Sequence, residues 1–280
     1  MVLSVVASEN CAIDSIMKKQ GYEKQLKPAE DLALSLRDKL TDDYVLTRWN
    51  GVRGTVDDHA NWMLDNIKSL CDSSAFRPYG SIHGITYEIH DNLTKESDGD
   101  GLFRLRGVVD IPADVIVAMV LDPITRGLLD YTMMYINCVH RYTDQKTKLC
   151  IWIAEPGFPF QWRDGLDIST WTMDDSGVYW QYALSVPSEM PVLSEFATRA
   201  VTKYWGYKLE PVKEGKGTAI TLVCQSALNG YIPKMAVNWK IGDVLSEYIR
   251  KVEKTGKSMV AQGTDRSFVT KVLFEQGSLN

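Results

Sequence analysis

The sequence contains few cysteines and none of the local patterns that hold zinc or build a disulfide framework. Its five cysteines are scattered over 280 residues without a CxxC pair, at Cys11, Cys71, Cys138, Cys150 and Cys224. An odd and scattered set of this kind is typical of proteins kept in a reducing compartment. We therefore expect a cytoplasmic protein.

The chain also lacks long apolar runs and an excess of basic residues. No run approaches the roughly 18 apolar residues that a membrane-spanning helix requires, and the opening MVLSVVAS is too short for a signal peptide and has no basic leader. The 31 Lys and Arg residues are outnumbered by 36 Asp and Glu residues, with a calculated pI of about 5.5. This balance argues against a nucleic-acid-binding surface.

Motifs of common catalytic sites are absent as well. The sequence has no GxSxG, no HExxH and no P-loop, and its histidines have no spacing that suggests a metal site or a catalytic triad, at His59, His83, His90 and His140. We expect no catalytic residues, no metal and no cofactor.

The first seventy residues have a helical pattern. Gly21 and Pro28 are expected to separate a short helix from a second one, and Thr55 with Asp58 forms a capping-box start for a later helix. The stretch TDDYVLTRWNGVRGTVDDHANWMLDNIK resembles the helical region that precedes the lipid-binding fold of Sec14-like (CRAL-TRIO) proteins. The matching residues are Leu46, Arg48, Trp49, Arg53, Val56, Ala60, Met63 and Leu64.

From Ser81 onward the apolar residues alternate with a period of two, as they do in strands. A hairpin is predicted around Ile85–Ile89 and Phe103–Val109. Two short helices are expected next, opened by Pro112 and by Asp122-Pro123. Six more strands follow without room for crossover helices, near residues 133–142, 148–155, 165–172, 178–186, 199–209 and 218–226. The sequence thus predicts an α+β fold with a curved antiparallel sheet of about nine strands.

A long helix is predicted after Pro233, with no further proline for twenty positions. One face carries an apolar stripe at helical spacing, formed by Val237, Ile241, Val244, Leu245, Tyr248 and Val252. We expect the curved sheet to wrap this helix. Met235 and Trp239 project from the opposite face, so the first turns are apolar on nearly all sides.

Four motifs in this order resemble the START (steroidogenic-acute-regulatory-related lipid transfer) domain family. They are FRLRGVVDIPADVIVAMVLDPITRGLLDY, FPFQWRD, TRAVTKYWGYKLEP and NGYIPKMAVNWK. The resemblance implies a helix-grip fold over residues 57–254, preceded by an N-terminal helical extension (1–56) and followed by a C-terminal tail (255–280). Within the family, the likeness is greatest to the phosphatidylcholine transfer proteins.

The resemblance implies that one phospholipid lies in a tunnel between the sheet and the last helix. It assigns the headgroup phosphate to Arg126, with Asp130 holding the guanidinium, and it places Trp152 and Trp205 at the headgroup. Two departures leave choline specificity open, because Gly165 and Lys203 stand where phosphatidylcholine carriers have cage tyrosines. Sterol and ceramide therefore remain alternative ligands.

The same comparison assigns roles to the last helix and to two loops. Tunnel and lid residues are expected at Val237, Ile241, Val244, Leu245 and Tyr248. Loop residues that dock transiently on a membrane are expected at Phe158, Phe160, Trp162, Tyr231 and Ile232. Aromatic rings are favoured at the bilayer interface. We expect a monomer that associates with membranes only transiently.

Two other functions fit the same fold. The protein could be a lipid-sensing module that acts through a protein partner, in which case ligand binding would change an interaction without moving lipid between vesicles. It could also be a hydrolase, because related helix-grip folds include hydrolases and cyclases and a fold alone does not fix a function.

Overall fold

The computed structural model describes residues 17–18, 21–37, 45–142, 146–157, 160–186, 193 and 195–275. The helices are α1 (Glu23–Arg37), α2 (Val56–Asp72), α3 (Asp91–Glu96), α4 (Ala113–Leu121), α5 (Pro123–Leu129), α6 (Lys234–Ala261) and α7 (Asp265–Val269). A 3-10 turn spans Lys213–Gly215, and a π-helical segment, Thr270–Glu275, follows α7.

The strands are β1 (Met17–Lys18), β2 (Leu46–Thr47), β3 (Arg53–Gly54), β4 (Arg77–Ile82), β5 (Ile85–Ile89), β6 (Phe103–Val109), β7 (Met133–Arg141), β8 (Lys148–Ala154), β9 (Trp162–Met173), β10 (Tyr179–Ser185), β11 (Ala197–Arg199), β12 (Val201–Val212) and β13 (Gly217–Ala227). One sheet has the order β1-β7-β8-β9-β10-β12-β13-β6-β5-β4, and β2 pairs with β3 in a separate small hairpin. The short β11 runs parallel to β9, while the pairings along the main path are antiparallel. Apart from the short edge pieces, this confirms the predicted α+β fold and antiparallel sheet.

Alternation along the strands divides the apolar residues between two cores. The outer core lies under α1 and α2 and contains the inward faces of these helices, with Met63 and Ile67 fully buried against the sheet. From the strands it receives Leu149, Ile151 and Ile153 of β8 and Leu166 and Ile168 of β9. The part of the predicted N-terminal extension that the structure describes as α1 therefore shares a core with the sheet.

The inner core lies on the concave face, where α4, α6 and α7 pack. It contains Leu105, Tyr207, Leu209 and Leu222 from the strands, with Leu245, Ile249 and Val252 from α6. Alternate residues along the same strand thus face different helices. The concave face is the one that the long helix covers, as the sequence predicts.

Local signals fix several helix starts. Thr55 caps α2, because its side chain accepts from the Asp58 amide at 3.2 Å while Asp58 Oδ2 accepts from the Thr55 amide at 2.9 Å. Asp122 caps α5 by accepting from the Thr125 amide at 2.8 Å, and Pro123 is its first residue. Both capping arrangements agree with the predictions. By contrast, α1 runs through Pro28, where the sequence predicts a break.

The end of the chain extends the fold beyond the predicted boundary at residue 254. Helix α6 continues to Ala261, and α7 then folds back on α4. Val269 and Val272 are buried in the inner core, and an Arg266 N–H donates to Asp114 at 2.6 Å. The described part of the tail, to residue 275, therefore packs on the lipid-binding fold that the sequence predicts.

Candidate functional site

A cavity of about 310 Å³ lies between α5, α6 and β12. Its wall is formed by Arg126, Leu129, Asp130, Trp205, Val244, Leu245 and Tyr248, and its rim carries charged residues from α6, namely Lys240, Asp243, Glu247 and Lys251. The structure thus brings three of the four predicted headgroup residues to one place, together with three of the predicted lid residues.

Arg126 is the central polar group of this cavity. An N–H of its guanidinium donates to the Tyr248 hydroxyl. The guanidinium carbon lies 4.7 Å from the centre of the Tyr248 ring and 5.1 Å from that of Trp205. Such distances allow cation–π attraction, so two aromatic side chains from different elements fix the position of the charge.

The electrostatic surroundings keep Arg126 charged. Burial lowers the pKa of its guanidinium, but the neighbouring Tyr248, Tyr207 and Asp130 more than offset that effect, and the net pKa is raised. The site therefore offers a permanent cation in contact with two aromatic side chains. An arginine in such a position can make two parallel charge-assisted hydrogen bonds to a phosphate or carboxylate.

Asp130 does not hold the guanidinium as the sequence comparison implies. Its carboxylate accepts from the Thr132 amide at 3.1 Å and from the Thr132 hydroxyl at 2.7 Å, and so closes the turn after α5. The expected hydrogen-bond partner of the guanidinium is therefore wrong, since the Tyr248 hydroxyl and not Asp130 accepts from it. The effect of Asp130 on Arg126 is electrostatic and acts at longer range.

Trp205 faces the cavity because β12 contains a bulge. The register with β13 shifts between Thr202 and Tyr204, so Lys203 is the extra residue. Its ammonium group bonds Asp100 at 2.8 Å and lies 5.7 Å from the ring centre of Trp49, which belongs to the N-terminal hairpin. Trp205 then pairs with Cys224, a residue of the inner core, and reaches Arg126.

Trp152 lies on the concave face but outside the Arg126 cavity. Its indole covers Gly165 on the neighbouring strand, where an added Cβ would lie 2.3 Å from two indole atoms. Its N–H donates to Asp167 at 2.9 Å. Gly165 thus provides the space that the tryptophan ring occupies.

The concave face near Trp152 is not completely filled by side chains. On β8 the outward residues Leu149, Ile151 and Ile153 are buried, whereas the inward Cys150 and Trp152 are only half-buried. The inward Ser169 of β9 and Ala183 of β10 are also half-buried. Accessible space therefore borders the sheet beyond the Arg126 cavity.

The predicted lid residues of α6 differ in burial. Leu245 and Tyr248 are buried in the inner core, Val237 and Ile241 are half-buried, and Val244 is 43% exposed at the cavity. Three of them, Val244, Leu245 and Tyr248, line the cavity.

The predicted docking residues are placed less uniformly. Phe158 lies outside the described residues. Phe160 is half-buried, and Trp162 packs edge-on against Tyr22 and Phe196, with ring centres 5.5 and 6.0 Å away. Ile232 is half-buried, but Tyr231 is 96% exposed.

Two further apolar residues, Met235 and Trp239, follow Tyr231 at intervals of four positions and are 83% and 70% exposed. The exposed apolar surface is therefore centred on the stripe Tyr231, Met235 and Trp239.

Two residues of the site were not recognised in these roles from the sequence. Tyr248 is predicted as a lid residue but serves as the hydrogen-bond partner of Arg126, 122 positions away. Asp167 is buried on the concave face and accepts three hydrogen bonds. Burial raises the pKa of its carboxyl group, and this effect outweighs the hydrogen bonds, which lower the pKa. The sequence signal that could have revealed Asp167 is a charged residue at a strand position that the alternation places inside the fold.

Comparison with known proteins identifies the family. The profile described as START domain matches residues 58–262, which is more than half of the chain. The protein therefore belongs to the START family, whose members bind lipids. No curated protein sequence matches the chain.

Solved structures share the fold at low sequence identity. Human STARD10 superposes with a TM-score of 0.66 at 19% identity, covering 77% of this chain and 87% of that one. Human StAR-related lipid transfer protein 5 gives 0.66 at 15% identity, with coverage of 73% and 97%. A STAR-related lipid transfer protein from Xanthomonas axonopodis gives 0.54 at 16% identity, with coverage of 66% and 99%. These likenesses show a START fold.

Within the ranges that the structure describes, no helix is both long and apolar enough to cross a bilayer. In the same ranges, no group of three or more His, Cys, Asp and Glu side chains is arranged to hold a metal ion.

Proposed function

We propose that this protein carries a single phosphatidylcholine-like phospholipid through the cytoplasm, with Arg126 bound to the headgroup phosphate, and exchanges it at membranes. The observation that supports this most directly is the placement of Arg126 between the rings of Trp205 and Tyr248 at the cavity. Relatives with the same fold are described as lipid transfer proteins, which agrees with the proposal.

The chemistry of the cavity suits a phosphate better than a neutral sterol hydroxyl. A guanidinium fork that one tyrosine hydroxyl engages still has donors for phosphate oxygens. The cavity of about 310 Å³ can take a headgroup, and the acyl chains would extend along the half-buried concave face. Enclosing the chains is essential, since each methylene exposed to water costs about 0.8 kcal/mol.

The stripe of Tyr231, Met235 and Trp239 supports transient docking on a membrane. The exposed side chains of Tyr231, in the turn before α6, and of Met235 and Trp239, in the first turns of α6, form an apolar patch. Aromatic rings favour the bilayer interface. Lys240 lies 4.7 Å from the ring centre of Trp239 and can add attraction to anionic headgroups. Docking here would place the beginning of α6 in the interface, next to the Arg126 cavity.

Native mass spectrometry with lipid extraction tests the proposal. Protein purified from cells, and again after incubation with mixed liposomes, should carry one phospholipid per chain. Arg126→Ala should lower loading at least tenfold, because a hydrogen bond to a charged group is worth about 1.5–3 kcal/mol. Arg250→Ala is the matched control, since Arg250 lies on the exposed face of α6 and forms an ion pair with Glu247 at 3.3 Å.

Other outcomes would change the proposal in different ways. A bound sterol or ceramide would retain the fold and contradict the phosphate role of Arg126. A phospholipid that binds but is not moved between vesicles would favour a lipid sensor. An empty protein that never loads would contradict lipid carriage altogether.

A further inference from the structure

A second polar position lies on the concave face, at Asp167 of β9. Its neighbours in sequence, Leu166 and Ile168, belong to the outer core, so Asp167 faces inward. It stands between Cys150 of β8 and Ser185 of β10 in the sheet register. It is 8% exposed, so its carboxylate is largely shielded from solvent.

The carboxylate is held by uncharged donors from three other strands. Trp152 Nε1 donates at 2.9 Å, Ser185 Oγ at 2.5 Å and Thr202 Oγ1 at 3.0 Å. A carboxylate has about four acceptor positions, so one is left. No cation is among these three contacts. Arg199 acts on the carboxylate electrostatically, but its own ion pair, at 3.0 Å, is with Asp164. Burying an anion without a directly bonded cation is costly in free energy.

Asp167 and Trp205, the residue beneath the Arg126 guanidinium, lie on the same face of the sheet. Trp205, under the guanidinium, is the register partner of Ala183, which in turn pairs with Ser169, two residues from Asp167. Strand spacings near 4.8 Å and a rise near 3.3 Å per residue put the Cα atoms of Trp205 and Asp167 about 12 Å apart. A zwitterionic headgroup whose phosphate binds the guanidinium over Trp205 can therefore extend along the sheet toward Asp167.

We propose that Asp167, under the Trp152 indole, accepts hydrogen bonds from the ammonium group of the bound lipid and so favours headgroups with N–H donors. The inference rests on the proposed phospholipid carriage and specifies its ligand as an aminophospholipid of the ethanolamine type. Arg126 would take the phosphate and Asp167 the ammonium group, so each end of the headgroup would meet the opposite charge.

The distinction between ammonium groups follows from their chemistry. A primary ammonium has three N–H donors and can give the carboxylate a short charge-assisted hydrogen bond. A quaternary ammonium has none, and its best partners are the faces of aromatic rings. A site built on a carboxylate therefore favours a primary ammonium group, whereas an aromatic cage favours a quaternary one.

The same carboxylate also joins four strands, and this structural role alone would need no ligand. The two roles predict different results. A purely structural Asp167 affects the stability of the protein but leaves the ratio of bound headgroups unchanged. An Asp167 that binds the ligand alters that ratio even where total loading is maintained.

The first experiment leaves the protein unaltered. Wild-type protein is incubated with vesicles that contain equal amounts of phosphatidylethanolamine, its N-monomethyl and N,N-dimethyl derivatives and phosphatidylcholine, and the bound lipids are counted by native mass spectrometry. Loading should fall with each methyl group, with the largest step, roughly tenfold, at the last one, where the final N–H is lost. Equal loading, or a preference for phosphatidylcholine, would overturn the inference and leave lipid carriage intact.

The second experiment assigns the preference to the residue. Asp167→Asn should bring the ethanolamine-to-choline ratio close to one, mainly through lower loading of phosphatidylethanolamine. Ser185→Ala, which removes one hydrogen bond from the same carboxylate but keeps its charge, should preserve the preference. An unchanged ratio in Asp167→Asn would contradict the inference, and a wild-type protein that stays empty in both experiments would overturn the proposed function together with it.

Discussion

The two halves of α6 are held to the protein by different forces. The front half, Lys234–Ile241, is tied to the turn at residues 98–101 by polar contacts. Lys234 Nζ lies 3.0 Å from Asp98 and 3.2 Å from Asp100, and the Asn238 amide accepts from the Gly101 N–H at 3.1 Å and donates to the Gly99 carbonyl at 2.9 Å.

The rear half, Gly242–Ala261, is held mainly by apolar burial. Leu245, Ile249 and Val252 lie in the inner core, each at most 4% exposed. Gly242, where the halves meet, touches the Tyr87 ring so closely that an added Cβ would lie 2.7 Å from it. Polar contacts at a surface can be exchanged for water at small cost, but a buried apolar face cannot. The front half is thus suited to open and the rear half to remain in place.

The largest expected difference between the halves is in their contribution to global stability. Ile249→Ala should lower the free energy of unfolding by about 2–5 kcal/mol, since it leaves a cavity in the inner core. Met235→Ala in the front half is the control, and it should stay within about 0.5 kcal/mol of wild type because Met235 is 83% exposed. Urea unfolding followed by circular dichroism measures both. Equal losses would show that the two halves are held alike.

For membrane binding, substitutions in the front half should have the larger effect and substitutions in the rear half the smaller one. Replacing Tyr231 with Ser and Met235 and Trp239 with Gln should weaken binding to vesicles by roughly 2 kcal/mol or more, on the order of thirtyfold. Vesicle co-sedimentation measures the change. Val260→Ser serves as the control, because this residue is exposed on the rear half. Similar binding by the variant and wild type would contradict docking through the front half.

The smallest expected effect concerns local opening. Asn238→Ala removes two hydrogen bonds to the turn at residues 98–101, each worth about 0.5–1.5 kcal/mol. Amide hydrogen exchange in the front half should accelerate about tenfold, with the unfolding transition nearly unchanged. Lys240→Ala, which removes exposed contacts to Asp243 at 3.3 Å and to the Trp239 ring at 4.7 Å, should leave exchange unaltered. Faster exchange along the whole helix would show that α6 opens as one unit.

Local sequence patterns predicted the sheet and most helix starts. Alternation with a period of two placed the long strands, and the capping residues Thr55 and Asp122 marked helices that the structure confirms. These predictions succeed because strands with one face in a core must alternate, and because a cap satisfies amides within three residues of itself. The break expected at Pro28 is wrong because α1 continues through it on the outer face of the sheet.

The site could be predicted only in part. Family motifs pointed to Arg126 and Trp205, which the structure brings into contact. They did not reveal Tyr248 as the partner of Arg126, since only the packing of α6 against α5 brings these residues together. A gapless comparison also aligned Lys203 with an inward tyrosine. The bulge in β12 turns that lysine toward Asp100, and no local pattern marks such an insertion.

The sequence by itself determined which segments form strands and helices, how apolar residues alternate along the strands, and that a cationic residue lies on a short helix before the main part of the sheet. Those properties depend on spacing and composition, which are local. Tertiary structure decided which polar residues share an interior. Arg126, Trp205 and Tyr248 meet there, and Asp167 lies beneath Trp152, because strand register and the bulge set distances between residues far apart in the chain.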